Sequence, residues 1–348
     1  MRISLGAWFD PPNAAGAIVM AAGIFTAASL PRLGEGLVRP AALIVTLIWV
    51  LVTLGMAVSA ARPGGLARRT EGVVESFGMG TWVAGTAVLA RALMLAAPDD
   101  PWPARAAFAL AALLWLWFMP RAAANLFRLA RSRLPPNGII LLSTVATQAV
   151  ALIALRLFPA VPGVPAVAAA LMALGVSCYA VGAFLVLRRY AGGGWTLAAD
   201  WANGNCILHG ALSITGLTAV VSGWFATGAI LTLWGIVVAI FVIVEAIELA
   251  RLVARVRIGG WGAAVGVYDV SQWARNFTFG MFYAFTFAFA ARDPIVAPPA
   301  LGLLRQVVVG YGAYVVAVFL AAETALLVFG ARGPIADRPQ ALPLPPPG

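Results

Sequence analysis

The stretch AALIVTLIWVLVTLGMAVSA, residues 41–60, contains twenty consecutive residues and no charged side chain. A helix rises about 1.5 Å per residue, so a helix of this length spans about 30 Å, the thickness of the hydrocarbon core of a bilayer. Apolar side chains cover nearly every face of such a helix, which favours contact with lipid. The stretch therefore predicts a transmembrane helix.

The whole chain has the same character. Of its 348 residues, 62% are hydrophobic and 10% are charged, whereas an average soluble domain is about half apolar and about one quarter charged. The formal net charge is +10, but the basic residues lie mainly in short loops, where they act as topology signals rather than as contacts to nucleic acid. We therefore expect a polytopic protein whose partner is the lipid bilayer, with no nucleic-acid partner.

Proline and glycine divide the chain into ten apolar segments, each of which we predict to be a helix. They are residues 13–30, 41–60, 77–97, 106–120, 138–158, 166–187, 205–223, 228–250, 271–291 and 303–329. Residues 1–330 then form a single transmembrane domain. Residues 331–348 are rich in proline and too polar to pack, which predicts a disordered cytoplasmic tail.

The arginines predict the orientation. All 23 basic residues are arginine; the N-terminal segment, the loops after even-numbered helices and the tail hold 15 of them, whereas the opposite loops hold 6. Because loops rich in basic residues stay in the cytoplasm, both termini are expected there. The absence of lysine and the abundance of alanine are typical of a GC-rich bacterial genome, so we expect the bacterial cytoplasmic (inner) membrane.

Small and polar residues are concentrated in the odd-numbered helices. Helix 5 contains Thr147 and Gln148, and helix 7 contains His209 and Ser213, whereas helices 2, 4 and 6 are apolar on nearly all faces. Lipid-facing helices tolerate polar groups least. We therefore predict an all-α membrane protein with five inner (odd) helices and five outer (even) helices.

Two segments resemble the slow-type anion channel and tellurite-resistance/dicarboxylate transporter family. PPNAAGAIVMAAGIF, residues 11–25, is similar to that family's first helix, in which a proline precedes a glycine-rich apolar run. SQWARNFTFGMFYAFT, residues 271–286, is similar to its ninth helix, in which a tryptophan precedes a phenylalanine-rich pattern. The resemblance implies that the five odd helices surround a central pore and that the protein is a homotrimer with one pore in each protomer.

The resemblance also implies that one phenylalanine of helix 9 gates the pore. Counting from Trp273 places this residue at Phe277, whereas anchoring on the Phe-Gly pair places it at Phe279, which we prefer. Truncation of the gate to alanine should raise basal anion conductance. The family's inner helices are commonly kinked by proline; helices 3, 5, 7 and 9 lack proline in mid-span, so glycine would have to supply any kink.

Helix 9 carries the candidate anion pathway, Arg275, Asn276 and Gln272. A guanidinium inside a span is costly unless it meets an anion or a carboxylate. In an anion pathway Arg275 would concentrate substrate at the cytoplasmic mouth, and its replacement by alanine should lower anion flux. The alternative is that Arg275 extends to the interface or pairs with Asp269 or Glu245.

Three other ionisable residues are candidates for coupling or pH sensing. Glu245 and Glu248 precede Arg251 at spacings that favour a structural ion-pair network, but Glu245 could instead couple transport to a proton, and Glu323 is similarly placed. His209, the only histidine, could sense pH or simply pack. A lone histidine and two cysteines without CxxC spacing point to no metal site, haem or other cofactor.

The function expected is an anion channel or transporter for small inorganic anions or C4-dicarboxylates, the substrates that the resemblance implies. One alternative is a proton-coupled carrier that uses Glu245 or Glu323. A membrane-embedded transferase is a second alternative, but the sequence has no DxxxD, HExxH or GxSxG motif, so we do not expect an enzyme. A structural or sensory subunit is the third.

The arginine distribution generates a test of orientation. Reporter fusions at Gly65 and Asp100 should report opposite sides of the membrane, with Gly65 in the cytoplasm, because the arginine-rich loops lie on the Gly65 side. If both fusions reported the same side, either helix 3 would not cross the membrane or the number of helices would differ from ten.

Overall fold

The computed structural model describes residues 10–294 and 299–332. Within these ranges, nine helices are long and apolar enough to cross a membrane. A further helix of 22 residues, Ser271–Arg292, is less apolar because Gln272, Arg275 and Asn276 lie in its first two turns. The prediction of an all-α, multi-pass membrane protein agrees with this content, whereas the number of spans and their direction stay predictions.

A helix overlaps each of the ten predicted segments. In chain order they are α1 Asn13–Leu33, α2 Glu35–Ala61, α3 Glu75–Ala96, α4 Trp102–Arg131, α5 Gly138–Leu157, α6 Val164–Ala191, α7 Asn203–Ser222, α8 Thr227–Val265, α9 Ser271–Arg292 and α10 Pro299–Phe329. Within α1, residues Phe25–Ser29 form a π-helical turn.

The even helices α4 and α8 continue well beyond the predicted segments. α4 continues through Pro120, where the predicted segment ends, to Arg131, and the helix stops before the Pro135-Pro136 pair. α8 runs for 39 residues and is interrupted at Gly260, whose φ of 74° is a left-handed conformation that favours glycine. Hydropathy marks the part of a helix that can lie in lipid, not where the helix ends.

The predicted tail begins inside the described part of the chain. Ala331–Arg332 pairs in parallel with Val267–Tyr268, which lies between α8 and α9. The first two residues of the predicted disordered tail therefore form a short strand against the preceding loop, and residues 333–348 lie outside the described ranges.

Burial divides the helices into two groups. In the apolar windows of α1, α3, α5 and α7, 67–89% of residues are buried, compared with 17–39% in α2, α4, α6, α8 and α10. In α9, 13 of the 22 residues are buried. The odd helices thus form the interior, and the even helices expose long rows of leucine, valine and isoleucine.

The odd helices pack in a closed ring in the order α1, α3, α5, α7, α9 and back to α1. The even helices pack on the outside of this ring: α2 lies against α1 and α3, α4 against α3 and α5, and α6 against α5 and α7. α8 contacts α7 and α9, and α10 contacts α9 and the end of α1.

Glycines allow ring neighbours to approach closely. A Cβ at Gly16 of α1 would lie 2.7 Å from the backbone carbonyl carbon of Thr81 in α3, and one at Gly85 would lie 3.0 Å from the Gly16 carbonyl oxygen. Gly210 of α7 lies against Thr278 of α9. These glycines serve helix contacts, and small residues at such positions are typical of membrane helix interfaces.

Arg69 holds the start of α1 in place from the short helix Gly65–Glu71. Its guanidinium forms an ion pair with Asp10 at 2.7 Å and donates hydrogen bonds to the Pro11 carbonyl at 2.8 Å and to Ser59 Oγ at 2.5 Å. The side chain of Arg69 is buried. This network links α1 to the end of α2.

The close α1–α3 contact generates a prediction of stability. Gly16→Ala should lower the free energy of unfolding by about 1–3 kcal/mol, because the backbone of Thr81 cannot yield to the added methyl group without separating the helices. Gly235→Ala is the matched control, since nothing lies within 4 Å of a Cβ at Gly235 on α8. Thermal unfolding in detergent measures both; equal midpoints for the two variants would contradict the close-contact interpretation.

Candidate functional site

A cavity of about 350 Å³ lies inside the ring. We call it the arginine cavity, because its lining residues are three arginines and sixteen apolar residues: Ile24, Ala27, Ala28, Pro31, Arg32, Ala87, Val88, Arg91, Leu95, Ala149, Leu152, Ile153, Arg156, Ile214, Leu217, Met281, Ala284, Phe287 and Ala288. All five ring helices contribute, chiefly through their C-terminal halves. The five helices therefore run in the same direction.

The three arginines come from neighbouring helices. Arg32 lies in the last turn of α1, Arg91 lies in α3 and Arg156 lies in the last turn of α5. Arg32 is exposed and stacks over the ring of Phe287, with its Cζ 5.3 Å from the ring centroid. Arg91 and Arg156 are half-buried, and neither forms a hydrogen bond or ion pair with the described part of the chain.

Sequence reasoning missed this cluster. None of the three arginines was among the site residues predicted from the sequence. A usable signal was present: each arginine follows small or apolar residues at helical spacing near the end of an odd helix, such as Val88 and Arg91. The sequence does not show how each helix is rotated about its axis, so it could not place the three arginines in one cavity.

Contacts of α9 with its two ring neighbours fix its rotation. Thr278 lies against Gly210 of α7, and Gly280 lies against Ile24 of α1. At about 100° per residue, Phe277 lies between these two directions on the inner side, in line with Met281, Ala284 and Ala288 of the cavity lining. Phe279 lies on the opposite, outer side.

The aromatic contacts agree with this rotation. The ring of Phe279 packs edge-on against Phe241 of α8 at 5.0 Å and against Phe319 of α10 at 4.9 Å. Phe277 is 1% exposed and belongs to the central apolar cluster. The preference for Phe279 as the inward-facing ring is therefore corrected: the inner position belongs to Phe277.

Arg275 faces the outer helix α8. Its guanidinium pairs with Glu245 and, at 3.5 Å, with Glu248. Glu248 also accepts a hydrogen bond from Trp201 Nε1 at 2.8 Å and pairs with Arg251 at 3.4 Å. Of the two interpretations of Arg275, the pairing with Glu245 is the one that the structure contains.

His209 lies in the same seam between α8 and the ring helices α7 and α9. The side chain is fully buried, and its ring packs edge-on against Phe241 at 4.9 Å. His209 Nε2 is 3.8 Å from Glu245 Oε1, and neither atom has a hydrogen-bond partner within the described ranges. We call His209, Glu245, Glu248, Arg275 and Phe279 the α8 seam.

The remaining predicted residues lie elsewhere. Asn276 is buried and shares the face of Gly280, towards α1, while Gln272 is half-buried in the first turn of α9. Glu323 of α10 is buried, and its Oε1 has no hydrogen-bond partner among the described residues. None of the three lines the arginine cavity.

The described residues contain no group of three or more histidine, cysteine, aspartate or glutamate side chains that could hold a metal ion. Cys178 and Cys206 are both buried and free. No family model matches the chain, and no curated protein matches it in a sequence search.

The ion pairs of the seam generate a double-mutant prediction. Arg275→Ala should cost about 2 kcal/mol of stability, because it leaves Glu245 in an apolar seam; this is below the 3–5 kcal/mol typical of fully buried pairs, since the Arg275 side chain is 26% exposed. Adding Glu245→Gln should recover part of the loss. Thermal unfolding of the wild type, both single variants and the double variant measures the coupling; strictly additive losses would mean that the pair contributes nothing.

Proposed function

We propose that the chain is an anion channel or transporter whose pathway follows the axis of the five-helix ring, as in the slow-type anion channel and tellurite-resistance/dicarboxylate transporter family that it resembles. The arginine cavity carries this proposal. Its lining residues include three arginines and no acidic side chain. Every helix of the ring contributes to the cavity, as expected for a central pathway.

The electrostatics of the cavity favour anions. Apolar walls lower the local dielectric constant, so a guanidinium attracts an anion more strongly there than in water. Arg91 and Arg156 have no carboxylate partner in the described structure, so no acidic side chain there neutralises their positive charge. A cation entering the same space would meet repulsion from both.

Phe277 is the proposed gate. It lies one helical turn from Met281 on the cavity-facing side of α9, towards the helix N-terminus, and it is buried among apolar side chains. A phenylalanine ring in this position closes a narrow path by filling space and by excluding water. The structure would then be a closed conformation, in which anions can reach the arginine cavity but cannot pass Phe277.

The arginine bias of the loops gives this pathway a direction. With both termini in the cytoplasm of a bacterial inner membrane, the C-terminal ends of the odd helices face outward, and so does the arginine cavity. The exposed apolar faces of the even helices contact lipid, and the family resemblance extends the proposal to a homotrimer.

A proton-coupled carrier is a second candidate, and the α8 seam favours it. His209 and Glu245 hold unpartnered polar atoms 3.8 Å apart in an apolar environment, an arrangement in which a proton could be exchanged. Uptake driven by a pH gradient and abolished in Glu245→Gln, with Glu323→Gln as the comparison, would identify this mode.

The gate generates the central test of function. Phe277→Ala should raise basal anion flux in proteoliposomes containing only this protein, because truncation opens the path without removing the arginines. Phe279→Ala is the matched control; the same truncation on the outer side of α9 should leave basal flux unchanged and lower stability by about 3–5 kcal/mol at most. Chloride, nitrate and malate fluxes are measured for both variants.

A rise in flux for Phe279→Ala alone would contradict the assigned rotation of α9. A rise for neither variant, with both proteins folded, would remove the phenylalanine gate from the mechanism. Absence of anion selectivity in the Phe277→Ala variant would overturn the anion pathway.

A further inference from the structure

The lining of the arginine cavity combines charged arginine side chains with apolar side chains. Sixteen of its nineteen lining residues have apolar side chains, and the other three are arginines. Within the described structure, no serine, threonine, asparagine, glutamine or acidic side chain lines it. Among the side chains that line the cavity, only the three arginines therefore provide hydrogen-bond donors, and the others provide apolar surface.

The guanidinium groups of two of these arginines favour an anionic ligand. Arg91 and Arg156 lie on neighbouring ring helices, are half-buried and have no hydrogen-bond or ion-pair partner among the described residues. The helix C-termini carry partial negative charge, which lowers the cost of placing the arginines there. This partial charge does not replace an anionic ligand, because each planar guanidinium group can bind two oxygen atoms of an anion.

The geometry of arginine favours an oxyanion over a halide. A guanidinium presents paired N–H groups that match the two oxygens of a carboxylate, whereas a spherical ion uses only the charge. A carboxylate between Arg91 and Arg156 would satisfy donors from two helices at once. Chloride would lose its hydration shell without gaining that match.

The apolar walls of the cavity favour a ligand whose remaining part is hydrocarbon. Leu152, Leu217 and Met281 offer contact to a hydrocarbon body, and a hydroxyl group placed against them would lose its bound water without a side-chain partner. A volume of about 350 Å³ is within the range of small-molecule sites.

We propose that the arginine cavity binds organic carboxylates with an unsubstituted hydrocarbon body, with the carboxylate held between Arg91 and Arg156. This inference rests on the proposed function, which it narrows from anions in general to apolar carboxylates. Arg32, exposed at the rim, attracts the anion from solution.

The test measures binding, independently of transport. Equilibrium binding of radiolabelled butanoate to the full chain in nanodiscs of zwitterionic lipid is competed with 3-hydroxybutanoate, malate and chloride. Butanoate should bind saturably, and 3-hydroxybutanoate should compete about 10- to 100-fold less well, the discrimination expected of a hydrophobic site against an added hydroxyl. Equal competition by malate or chloride would overturn the proposal.

Variants assign the site. Arg91→Ala combined with Arg156→Ala should weaken butanoate binding about tenfold or more, through loss of charge-assisted hydrogen bonds. Ala288→Phe should also block binding, because it fills the cavity and keeps all three arginines. Arg39→Ala removes an exposed arginine outside the cavity lining and should change nothing. Unchanged affinity in the folded double variant or in Ala288→Phe would place butanoate elsewhere and overturn the assignment.

The phosphate group of a lipid is the alternative anion for the arginine cavity. Short-chain phosphatidic acid that displaces butanoate at equal or lower concentration would make the cavity a lipid-headgroup site and overturn the substrate assignment. Failure of the function is distinguishable from failure of this inference: butanoate binding without any flux in the Phe277→Ala variant rejects the pathway and retains the site, whereas flux without butanoate binding does the reverse.

Discussion

Close contact between neighbouring odd helices is the constraint on which the rest of the structure depends. Polar side chains on these helices must be kept from lipid, and they are, because Gly16, Gly85 and Gly210 allow backbones to approach within the ring. Several hydroxyl groups inside the ring donate hydrogen bonds to carbonyls of their own helices, as Ser213 does to His209 at 2.8 Å. Glycine contacts thus make a polar interior possible in hydrocarbon.

The ring separates two chemistries that share α9. Its inner side carries Phe277 and Met281 beside the arginine cavity, and its outer side carries Phe279 against α8 and α10. Arg275, at the start of the same helix, is neutralised by carboxylates of α8. The charges in the seam hold an outer helix to the ring, while Arg91 and Arg156 in the cavity have no hydrogen-bond or ion-pair partner among the described residues. Any displacement of α9 would alter both places together.

The helices could be predicted from sequence, because hydrophobic length and proline punctuation are local properties: a helix overlaps each predicted segment. The candidate site could be predicted only in part. The pairing of Arg275 with Glu245 was one of two interpretations available from the spacing of charges. Phe277 and Phe279 could not be ranked, since periodicity gives their angular separation and only the glycine contacts of α9 say which neighbour lies on which side. Arg91 and Arg156 were undervalued because an arginine near a helix end has the same sequence signature whether it reaches the interface or a shared cavity.

The one-sided position of the arginine cavity bears on how membrane voltage would act. Arg32 at the rim is exposed, so the cavity lies electrically close to the solution on its own side; in the proposed pathway, the apolar packing around Phe277 would keep the next segment dry. The electric field concentrates across the dry segment, where moving one elementary charge through 100 mV is worth about 2.3 kcal/mol. In the proposed anion pathway, occupancy of the cavity would be nearly independent of voltage, and almost the whole voltage dependence of permeation would reside in the single step past the ring of Phe277.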